Sequence, residues 1–292
     1  MANKHVVTSS TPGVDLDEVL AAVGGSSPLT TDGDLYTRAG GADTRLAAGA
    51  EGQVLTVVSG LPAWATAVGG DPGLPSSGLV ALWRASDLAL SDGAAVGTWA
   101  PSVGTPGSLT SSGSARPTFR AHGSPGGGPC VEFDGTDDEM SLSSPAGLPS
   151  GAAAGTLVAI VSRAKDNGSF SHIIQYGTGS PAQGRGLGCN PTVWYCLDYQ
   201  SEVASSAADA PRHRRRAVLG HWYDGTTRRL WVDGVPVAAD AVALDTGAST
   251  LHLGRSLYGG ERTAFRGVLF AVYNRALTDA DFAQIEAHAA TL

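Results

Sequence analysis

The segment AVLGHWYDGTTRRLWVDGVPV, residues 217–237, carries the clearest fold signal in the chain. Its Asp-Gly pairs at 224–225 and 233–234 predict two tight hairpin turns, because both residue types tolerate the positive φ angles that such turns require. Three antiparallel strands follow directly. Leu230 and Val232 alternate on one face of the middle strand, so we expect that face to pack on a core and the sheet to be one-sided here.

Composition extends this interpretation to the whole chain. Among 292 residues there are 40 Gly and 16 Pro, and only 16% are charged, which predicts many turns, few helices and an all-β protein. A formal net charge of -8 argues against nucleic acid or an anionic membrane surface as the main partner. No apolar run is long enough to cross a bilayer as a helix, so no membrane insertion is expected. Cys130, Cys189 and Cys196 lack the spacing of a disulfide framework or a zinc site.

The pattern along the chain divides it into four parts. Residues 1–30 contain a short amphipathic helix at 14–23, which predicts an anchor because two turns of helix are not stable alone in water. Residues 31–67 hold only short apolar clusters and cannot bury a core as a monomer, which predicts packing between copies. Residues 68–78 are rich in Gly and Pro and indicate a linker. Residues 79–292 show strand patterns at short intervals.

A short helix is expected at the end of the last part. Thr278 followed by Asp281 has the pattern of a capping box, and Leu277 with Phe282 would form the hydrophobic staple beside it. Ile285 and Ala289 would then point inward. This helix closes the chain.

Four sequence blocks follow one another in the order and spacing of a known family. They are GLVALWRASDLALSDGAAVGTWAPSVG at 78–104, RPTFRAHGSPGGGPCVEFDGTDDEMSL at 116–142, YDGTTRRLWVDG at 223–234 and LHLGRSLYGGERTAFRGVLFAVYNRALTDADFAQI at 251–285. Through them residues 79–292 resemble the laminin-G-like, concanavalin-A-like jelly roll of bacterial and phage proteins. The resemblance implies a two-sheet antiparallel sandwich that binds glycans or proteins. It also places Trp83 and Trp99 in the core.

A second resemblance lies near the start of the chain. The segment GDLYTRAGGADTRLAAGAEGQVLTVVSGLPAWA, residues 33–65, resembles a module of tailed-phage fibre and spike proteins, and gene transfer agents are similar to phage here. Such a module docks on other virion proteins. The layout implies a tail fibre or head spike at the virion surface, forming a homo-oligomer with a trimer as the default. Residues 1–30 have no apolar core segment typical of a secretory signal, so assembly in the bacterial host cytoplasm is expected.

Together the two resemblances imply a virion fibre or spike component that binds host-surface polysaccharide through its jelly roll. Several copies per particle would raise the effective concentration of weak sites. Two alternatives stay open. One is a spike that cleaves polysaccharide, and the other is a structural decoration protein that contacts only other virion proteins.

One pair of carboxylates in the sequence is a candidate for catalysis. The sequence has no P-loop, no HExxH and no Gly-x-Ser-x-Gly pattern. Glu132 and Asp134 share one strand face, as the carboxylates of sandwich-fold glycosidases do. However, Asp134 with Gly135 indicates a turn, with Phe133 in the core and Asp134 capping that turn. We therefore predict a protein that is not an enzyme and needs no cofactor.

Two charged clusters have a functional and a structural interpretation. The acidic group Asp134, Asp137, Asp138 and Glu139 offers the oxygen ligands that calcium prefers, although its spacing is more typical of a solvated turn. The basic group consists of Arg212, His213, Arg214, Arg215 and Arg216. It could grip an acidic polysaccharide, because guanidinium groups pair with carboxylates, or it could be a solvated loop entering the next strand.

Aromatic residues supply the predicted glycan site, because sugar rings stack on indole and phenol rings. In residues 192–199 the alternation of Val193, Tyr195, Leu197 and Tyr199 indicates a core face, which leaves Trp194 and Asp198 facing outward. Trp231 and Arg229 lie on the outward face of their own strand. The predicted glycan-binding residues are Trp194, Asp198, Arg229 and Trp231. Burial of the two indoles under loops or between subunits is the alternative, and His172 and His221 are interpreted as structural.

Overall fold

The computed structural model describes residues 31–32, 34–50, 53–58, 60–66, 73–163, 171–198, 201–206 and 214–292. The chain divides into two compact units, Met1–Val68 and Gly69–Leu292. The helix expected at 14–23 and the anchor at 1–30 lie outside the described residues. So do Tyr199, Arg212, His213 and most of the linker.

The described residues of the first unit, between 31 and 66, form two antiparallel hairpins. Strand β1 (Leu35–Ala39) pairs with β2 (Ala42–Leu46), and β3 (Gln53–Val58) pairs with β4 (Leu61–Thr66). The short strands match the apolar clusters that the sequence shows at 31–67. Trp64 Nε1 donates a hydrogen bond of 2.7 Å to the Ala47 carbonyl and so ties the second hairpin to the segment after the first.

The described residues of the second unit form short strands, a terminal α-helix and 3-10 helices at Ala85–Asp87 and Gly113–Ala115. The strands and the α-helix are numbered as follows. In chain order these are β5 (Leu79–Arg84), β6 (Thr98–Trp99), β7 (Leu109–Thr110), β8 (Thr118–Arg120), β9 (Cys130–Asp134), β10 (Met140–Ser143), β11 (Gly155–Arg163), β12 (Ser171–Gly177), β13 (Gly184–Cys189), β14 (Trp194–Cys196), β15 (Val203–Ala204), β16 (Arg216–Tyr223), β17 (Thr227–Val232), β18 (Val235–Ala241), β19 (Thr250–Leu253), β20 (Ala264–Tyr273) and α1 (Asp279–Ala289).

These strands form two antiparallel sheets packed face to face. The first has the order β18-β17-β16-β11-β20-β9-β8, with β5 also pairing with β20, and we call it the helix-side sheet. The second has the order β15-β14-β13-β12-β19-β10-β7-β6, and we call it the loop-side sheet. The predicted all-β, two-sheet antiparallel jelly-roll sandwich is confirmed.

The main core lies between the two sheets. Trp83, Trp99 and Phe133 are fully buried there, and the edge of the Trp99 ring meets Phe270 with ring centroids 5.8 Å apart. The core positions expected for both tryptophans and for Phe133 are confirmed. The inward residues of each strand alternate with residues that face away from this core, as the pleat of a strand requires.

A second apolar layer covers the outer face of the helix-side sheet. Helix α1 begins with the predicted capping box, in which Asp281 N donates to Thr278 Oγ1 at 3.2 Å and Thr278 N donates to Asp281 Oδ2 at 2.7 Å. The helix packs Phe282 and Ile285 against this sheet. The expectation of a one-sided sheet is therefore wrong, because the terminal helix buries the face opposite Leu230.

The two hairpin turns that define the fold are confirmed. Asp233 and Gly234 have φ angles of 48° and 77°, and they connect β17 to β18. Gly225 has a φ of 107°, and Asp224 Oδ1 accepts hydrogen bonds from the backbone of the next residues in the turn between β16 and β17. Within the described residues, no helix is long and apolar enough to cross a membrane.

Candidate functional site

A row of polar side chains crosses the outer face of the loop-side sheet. Adjacent strands place Thr98 opposite Thr110, Thr110 opposite Ser141, Ser141 opposite His252 and His252 opposite Gln175. The apolar neighbours of these residues along each strand point into the main core, so the polar residues face the other way. The row is exposed at Thr98 and Thr110 and becomes buried toward Gln175.

An open cavity of about 230 Å³ lies at the exposed half of this row, and we call it the hydroxyl cavity. Its lining residues are Thr110, Ser111, Ser112, Ala115, Glu139 and Ser141. Ser111 Oγ donates a hydrogen bond of 2.9 Å to the Ala115 carbonyl. This bond stabilises the segment after β7, which forms one side of the cavity. In the described part of the chain, the side-chain hydroxyls of Ser112 and Ser141 make no hydrogen bond and are available to a ligand.

Glu139 is the charged residue of the cavity lining, and two arginines hold it. Arg255 Nη1 donates to Glu139 Oε1 at 2.9 Å, and Arg262 Nη2 donates to Glu139 Oε2 at 2.6 Å. The side chain of Glu139 keeps 21% of its surface exposed, less than the 31% of Arg255 and the 24% of Arg262. Arg255 and Arg262 are not among the lining residues, and their two charges outweigh the single charge of Glu139.

His252 lies beside the cavity on the next strand, opposite Ser141, and is 9% exposed. Burial and the nearby Arg255 guanidinium lower its pKa, so the imidazole is neutral at pH 7. In the described residues no partner reaches its Nδ1 atom. The ring therefore adds a neutral polar group, and no positive charge, to this end of the row.

Residues 254–263, which we call the covering loop, close the buried half of the row. The Leu257 backbone N–H donates to Gln175 Oε1 at 3.2 Å, and the Glu261 carboxylate lies 2.9 Å from His172 Nε2. His172 Nδ1 also contacts Gln175 Oε1 at 3.0 Å. His172 is thus a hydrogen-bonded structural residue, as expected, and the loop confines an open site to the edge of the sheet.

The exposed aromatic platform predicted from sequence is wrong. Trp194 is 3% exposed and packs in the main core, while Trp231 is 2% exposed and packs under α1. They belong to opposite sheets and face different cores. Trp194 and Asp198 do share a face, but it is the inward face, because Cys196 lies between them in the same core and Tyr195 points out.

The prediction that Asp198 and Arg229 form an exposed glycan site with the two tryptophans is also wrong. Asp198 is fully buried, with Oδ1 2.8 Å from His221 Nε2 and Oδ2 bonded to Arg228 Nη1. A buried carboxylate requires such partners, and this network makes Asp198 a structural residue. Arg229 is half-buried, with its guanidinium 4.5 Å from the ring centroid of Trp222 on the outer face of the helix-side sheet.

The carboxylate pair on β9 is divided between two structural roles. Glu132 accepts hydrogen bonds or ion pairs from Arg120 at 3.1 Å and Arg266 at 3.3 Å. Asp134 Oδ1 accepts the Thr136 backbone N–H at 2.7 Å and so caps the turn after the strand, as the structural interpretation expected. The backbone N–H groups of this turn lower the pKa of Asp134.

The acidic turn gathers three of its four carboxylates. Ligand atoms of Asp134, Asp137 and Asp138 lie within 4.8 Å of one another, whereas Glu139 points to the arginines. The Asp138 Oδ2 atom accepts the Asp134 backbone N–H at 2.8 Å, so part of this oxygen set already serves the turn. Calcium takes six to eight oxygen ligands, and calcium binding stays a prediction.

The described part of the basic group is dispersed. Arg215 lies 3.4 Å from Asp233, and Arg216 Nη1 donates to the Ala289 carbonyl at the end of α1. Arg214 is exposed, with a φ of 55°. These residues sit on the helix-side sheet, away from the strands that form the hydroxyl cavity.

The fold is similar to several solved structures, whereas no family model and no curated protein sequence matches the chain. Trypanosoma rangeli sialidase in complex with sialic acid aligns with a TM-score of 0.52 and 16% identity over 79% of this chain and 35% of the sialidase. The chain thus spans about a third of that enzyme's length. At this identity the likeness concerns the fold.

Two further structures show the same similarity. Domain 4 of AbnA, a GH43 extracellular arabinanase from Geobacillus stearothermophilus, in complex with arabinotriose, aligns with a TM-score of 0.52 and 13% identity over 71% of this chain and 98% of that domain. The binding domain of Paraclostridial Mosquitocidal Protein 1 aligns with a TM-score of 0.52 and 11% identity over 73% of this chain and 52% of that chain.

These similarities correct one expectation from the sequence. The prediction that the protein is not an enzyme, drawn from missing motifs and from the turn after Asp134, is wrong to exclude activity, because the similar structures include a sialidase and one domain of an arabinanase. Membership of this fold does not separate binding domains from enzymes.

Proposed function

We propose that the second unit binds a carbohydrate in the hydroxyl cavity. The observation that carries this proposal is that Thr110, Ser112, Ser141 and Glu139 line one open cavity. Thr110 Oγ1 donates to the Ser141 carbonyl at 3.3 Å and can still accept, whereas the hydroxyls of Ser112 and Ser141 have no partner among the described residues. Sugar hydroxyls both donate and accept hydrogen bonds, so a lining of hydroxyls and one carboxylate complements a sugar ring.

The similar structures support this proposal at the level of the fold. One was solved in complex with arabinotriose and is matched over 98% of its length, and another was solved in complex with sialic acid. Sandwiches of this shape therefore occur in proteins that bind sugars. Which sugar this chain binds depends on the side chains that line its own cavity.

The cavity favours weak binding at each site. None of its six lining residues is aromatic, and its volume of about 230 Å³ is below the range of roughly 300–1,000 Å³ typical of small-molecule pockets. Repetition would compensate, because linked copies raise the effective concentration of each further site. Weak binding at each site is therefore compatible with a protein that is present in several copies on one particle.

We propose further that the protein is a fibre or spike component of a phage or phage-like particle, with its first unit docking on virion proteins. Leu55 is 51% exposed and Val57 is 70% exposed on one face of β3 in the first unit. Two-stranded ribbons are marginally stable alone, so this apolar face supports association of copies, with a trimer as the default.

Light scattering tests this association. The wild type should be an oligomer, and a double variant, Leu55→Asp with Val57→Asp, should be monomeric. A monomeric wild type would contradict the association.

Glycan cleavage is the second candidate function. It is favoured by the sialidase and the arabinanase among the similar structures. Glu139 is the carboxylate that lines the cavity, and glycosidases of the common type use a pair of carboxylates. Glu139→Gln should abolish polymer shortening if cleavage occurs in this cavity.

One experiment tests binding and cleavage together. The full chain is incubated with surface polysaccharides from a panel of bacterial hosts, and retention and polymer length are measured in the same sample. Replacing Ser112 and Ser141 together by Ala should lower retention at least about fivefold, because two ligand hydrogen bonds are lost. Thr98→Val is the matched control, since Thr98 lies in the same polar row but outside the cavity lining.

The virion role has its own test. Particles that carry the chain without residues 79–292 should assemble and lose adsorption to host cells. Normal adsorption of such particles would contradict the proposed adhesin and favour a structural decoration protein.

A further inference from the structure

We infer that the hydroxyl cavity binds a sugar that carries a carboxylate, and that Arg116 at its rim pairs with that carboxylate. This inference rests on the proposed glycan binding and specifies both the class of sugar and the residue that selects it. Its basis is the position of Arg116, the donors that its guanidinium keeps available, and the balance of charge around the cavity.

The Arg116 side chain lies along the segment after β7 that forms one side of the cavity. Ala115, which directly precedes it, lines the cavity, and Arg116 Nε donates a hydrogen bond of 3.0 Å to the Gly113 carbonyl. Gly113 directly follows the lining residue Ser112. The guanidinium is therefore held close to Ser112, at the rim of the cavity and outside its lining.

Arg116 keeps most of its donors for a ligand. A guanidinium has five N–H donors, and the Gly113 carbonyl accepts the one on Nε. Arg116 is exposed, and in the described parts of the chain no carboxylate or other acceptor binds its two Nη groups. Two N–H groups in one fixed plane match the two oxygens of a carboxylate, so a sugar acid can form a bidentate ion pair there.

The charges around the cavity favour an anion over a neutral ligand. Glu139 carries the negative charge of the lining, and Arg255 and Arg262 already bind its two oxygens. With Arg116, three guanidinium groups outnumber this one carboxylate. The carboxylates of the preceding acidic turn do not line the cavity, and Asp138 Oδ2 binds a backbone N–H of its own turn. A net positive environment lowers the free energy of a bound anion.

The Arg116 and Glu139 side chains point to opposite sides of the cavity. Arg116 Cδ lies 3.8 Å from the position that a Cβ atom on Gly97 would take, and Gly97 directly precedes β6. Glu139 instead points to Arg255, which lies just after β19. In the order of the loop-side sheet, β7 and β10 separate these two strands. A sugar acid would therefore bind with its carboxylate toward Arg116 and its ring hydroxyls toward Glu139 and Ser141.

The neutral groups of the site suit this orientation. The hydroxyls of Ser112 and Ser141 have no partner in the part of the chain that the structure describes. Ser112 can thus donate to the carboxylate beside Arg116, and Ser141 can bind a ring hydroxyl. His252 lies opposite Ser141 and is neutral at pH 7, because burial and Arg255 lower its pKa, so it adds no competing charge.

The test compares each acidic probe with its own neutral form on the full chain. Oligosaccharides of glucuronic, galacturonic and mannuronic acid are immobilised before and after chemical reduction of their carboxyl groups to primary alcohols, which leaves linkage and length unchanged. We expect the best acidic probe to bind at least about tenfold more tightly than its reduced form at low salt, because reduction removes the ion pair. The ratio should fall at high salt, where the ion pair is screened.

Three variants separate the charge of Arg116 from hydrogen bonding and from net charge. Arg116→Gln should weaken the acidic probe about tenfold, leave the reduced probe unchanged and bring the ratio toward one. Ser141→Ala should weaken both probes and leave the ratio unchanged. Arg215→Gln is the matched control, because it removes the same charge from the helix-side sheet and should leave both affinities unchanged. Thermal unfolding of each variant checks that the sandwich is intact.

The outcomes distinguish the inference from the function on which it rests. Equal or tighter binding of the reduced probes, or binding to a neutral host polysaccharide alone, would overturn the acidic preference and leave glycan binding standing. Binding to none of the probes or host polysaccharides would overturn both. An acidic preference that persists in Arg116→Gln, or that falls equally in Arg215→Gln, would overturn the role assigned to Arg116.

Discussion

The indole of Trp231 stacks on the ring of Phe282, with ring centroids 4.0 Å apart and ring planes 7° from parallel. This contact joins β17, whose position follows from the two hairpin turns, to the helix that ends the chain. It also explains why Trp231 is unavailable to a glycan. The stack is the centre of the apolar layer on the outer face of the helix-side sheet.

Removing the Phe282 ring should lower the stability of the folded protein. Phe282→Ala is expected to lower the free energy of unfolding by about 3–5 kcal/mol, because a buried ring is lost and a cavity remains against Trp231. Urea unfolding followed by tryptophan fluorescence measures the change. Val235→Ala is the control, since Val235 is exposed on the adjacent strand and its truncation should cost less than about 0.5 kcal/mol.

The buried network around Asp198 should be essential to stability. Asp198→Ala leaves Arg228 and His221 without their buried acceptor and is expected to cost about 3–5 kcal/mol. Asp240→Ala removes the half-exposed partner on the other side of Arg228 and should cost less. Denaturant unfolding of both variants gives the comparison. A stable Asp198→Ala protein that binds glycan less well would instead restore Asp198 to the binding site.

Stability should fall as pH rises through the range in which Glu286 ionises. Burial, reinforced by Asp233, raises the pKa of Glu286 from 4.5 to about 7. The folded state therefore binds this proton more tightly than the unfolded state does, and the stabilisation is complete below about pH 4.5 and lost as pH approaches about 7. After allowance for partial exposure, the loss is expected to be about 1–2 kcal/mol.

Glu286→Gln should remove most of this slope when the free energy of unfolding is measured from pH 4.5 to pH 7.5. Burial also raises the pKa of Asp138 to about 6, so adding Asp138→Asn should remove a further part of the falling slope. Burial lowers the pKa of His252, which contributes a slope of opposite sign below about pH 6.5 and should remain in the double variant. The Arg275 guanidinium lowers the pKa of Asp281, and that group loses its stabilising charge only below this window. A slope unchanged in both variants would contradict the assignment.

The three cysteines should be protected from thiol reagents in the folded protein. All three are free and buried, and burial raises the pKa of Cys130 to about 11 and that of Cys196 well above its usual value. Since the thiolate is the reactive form, native protein at pH 8 should react slowly with an aromatic disulfide reagent. Unfolded protein should react at once at all three sites. Fast reaction of one thiol in the native state would show that its strand is accessible.

The local parts of the fold could be predicted from the sequence because their causes are local. The Asp233–Gly234 turn needs two adjacent residues that accept positive φ, and the capping box needs Thr278 and Asp281 three positions apart. The pleat of a strand also fixed which residues share a face. Trp194 with Asp198, and Arg229 with Trp231, were paired correctly.

The direction of each face could not be predicted in the same way. A period of two residues gives the relative orientation of neighbours, but both faces of β14 and β17 carry apolar side chains, so either could be the core. Packing of helix α1 buries the face of β17 that carries Trp231. The main core beside Cys196 buries the face of β14 that carries Trp194. Both decisions depend on segments distant in the chain.

For the candidate site, even less could be predicted from the sequence. Glu139 was recognised from the sequence as one of four acidic residues, and Ser112, Thr110 and Ser141 carried no local signal. Pairing of β7 with β10 and of β10 with β19 brings these hydroxyls beside Glu139, while the covering loop brings the two arginines that hold it. The sequence by itself determined the turns, the strand alternation and the all-β class, because those depend on neighbours along the chain. Only the tertiary structure decided which polar groups share one cavity, because that depends on pairing between residues far apart in sequence.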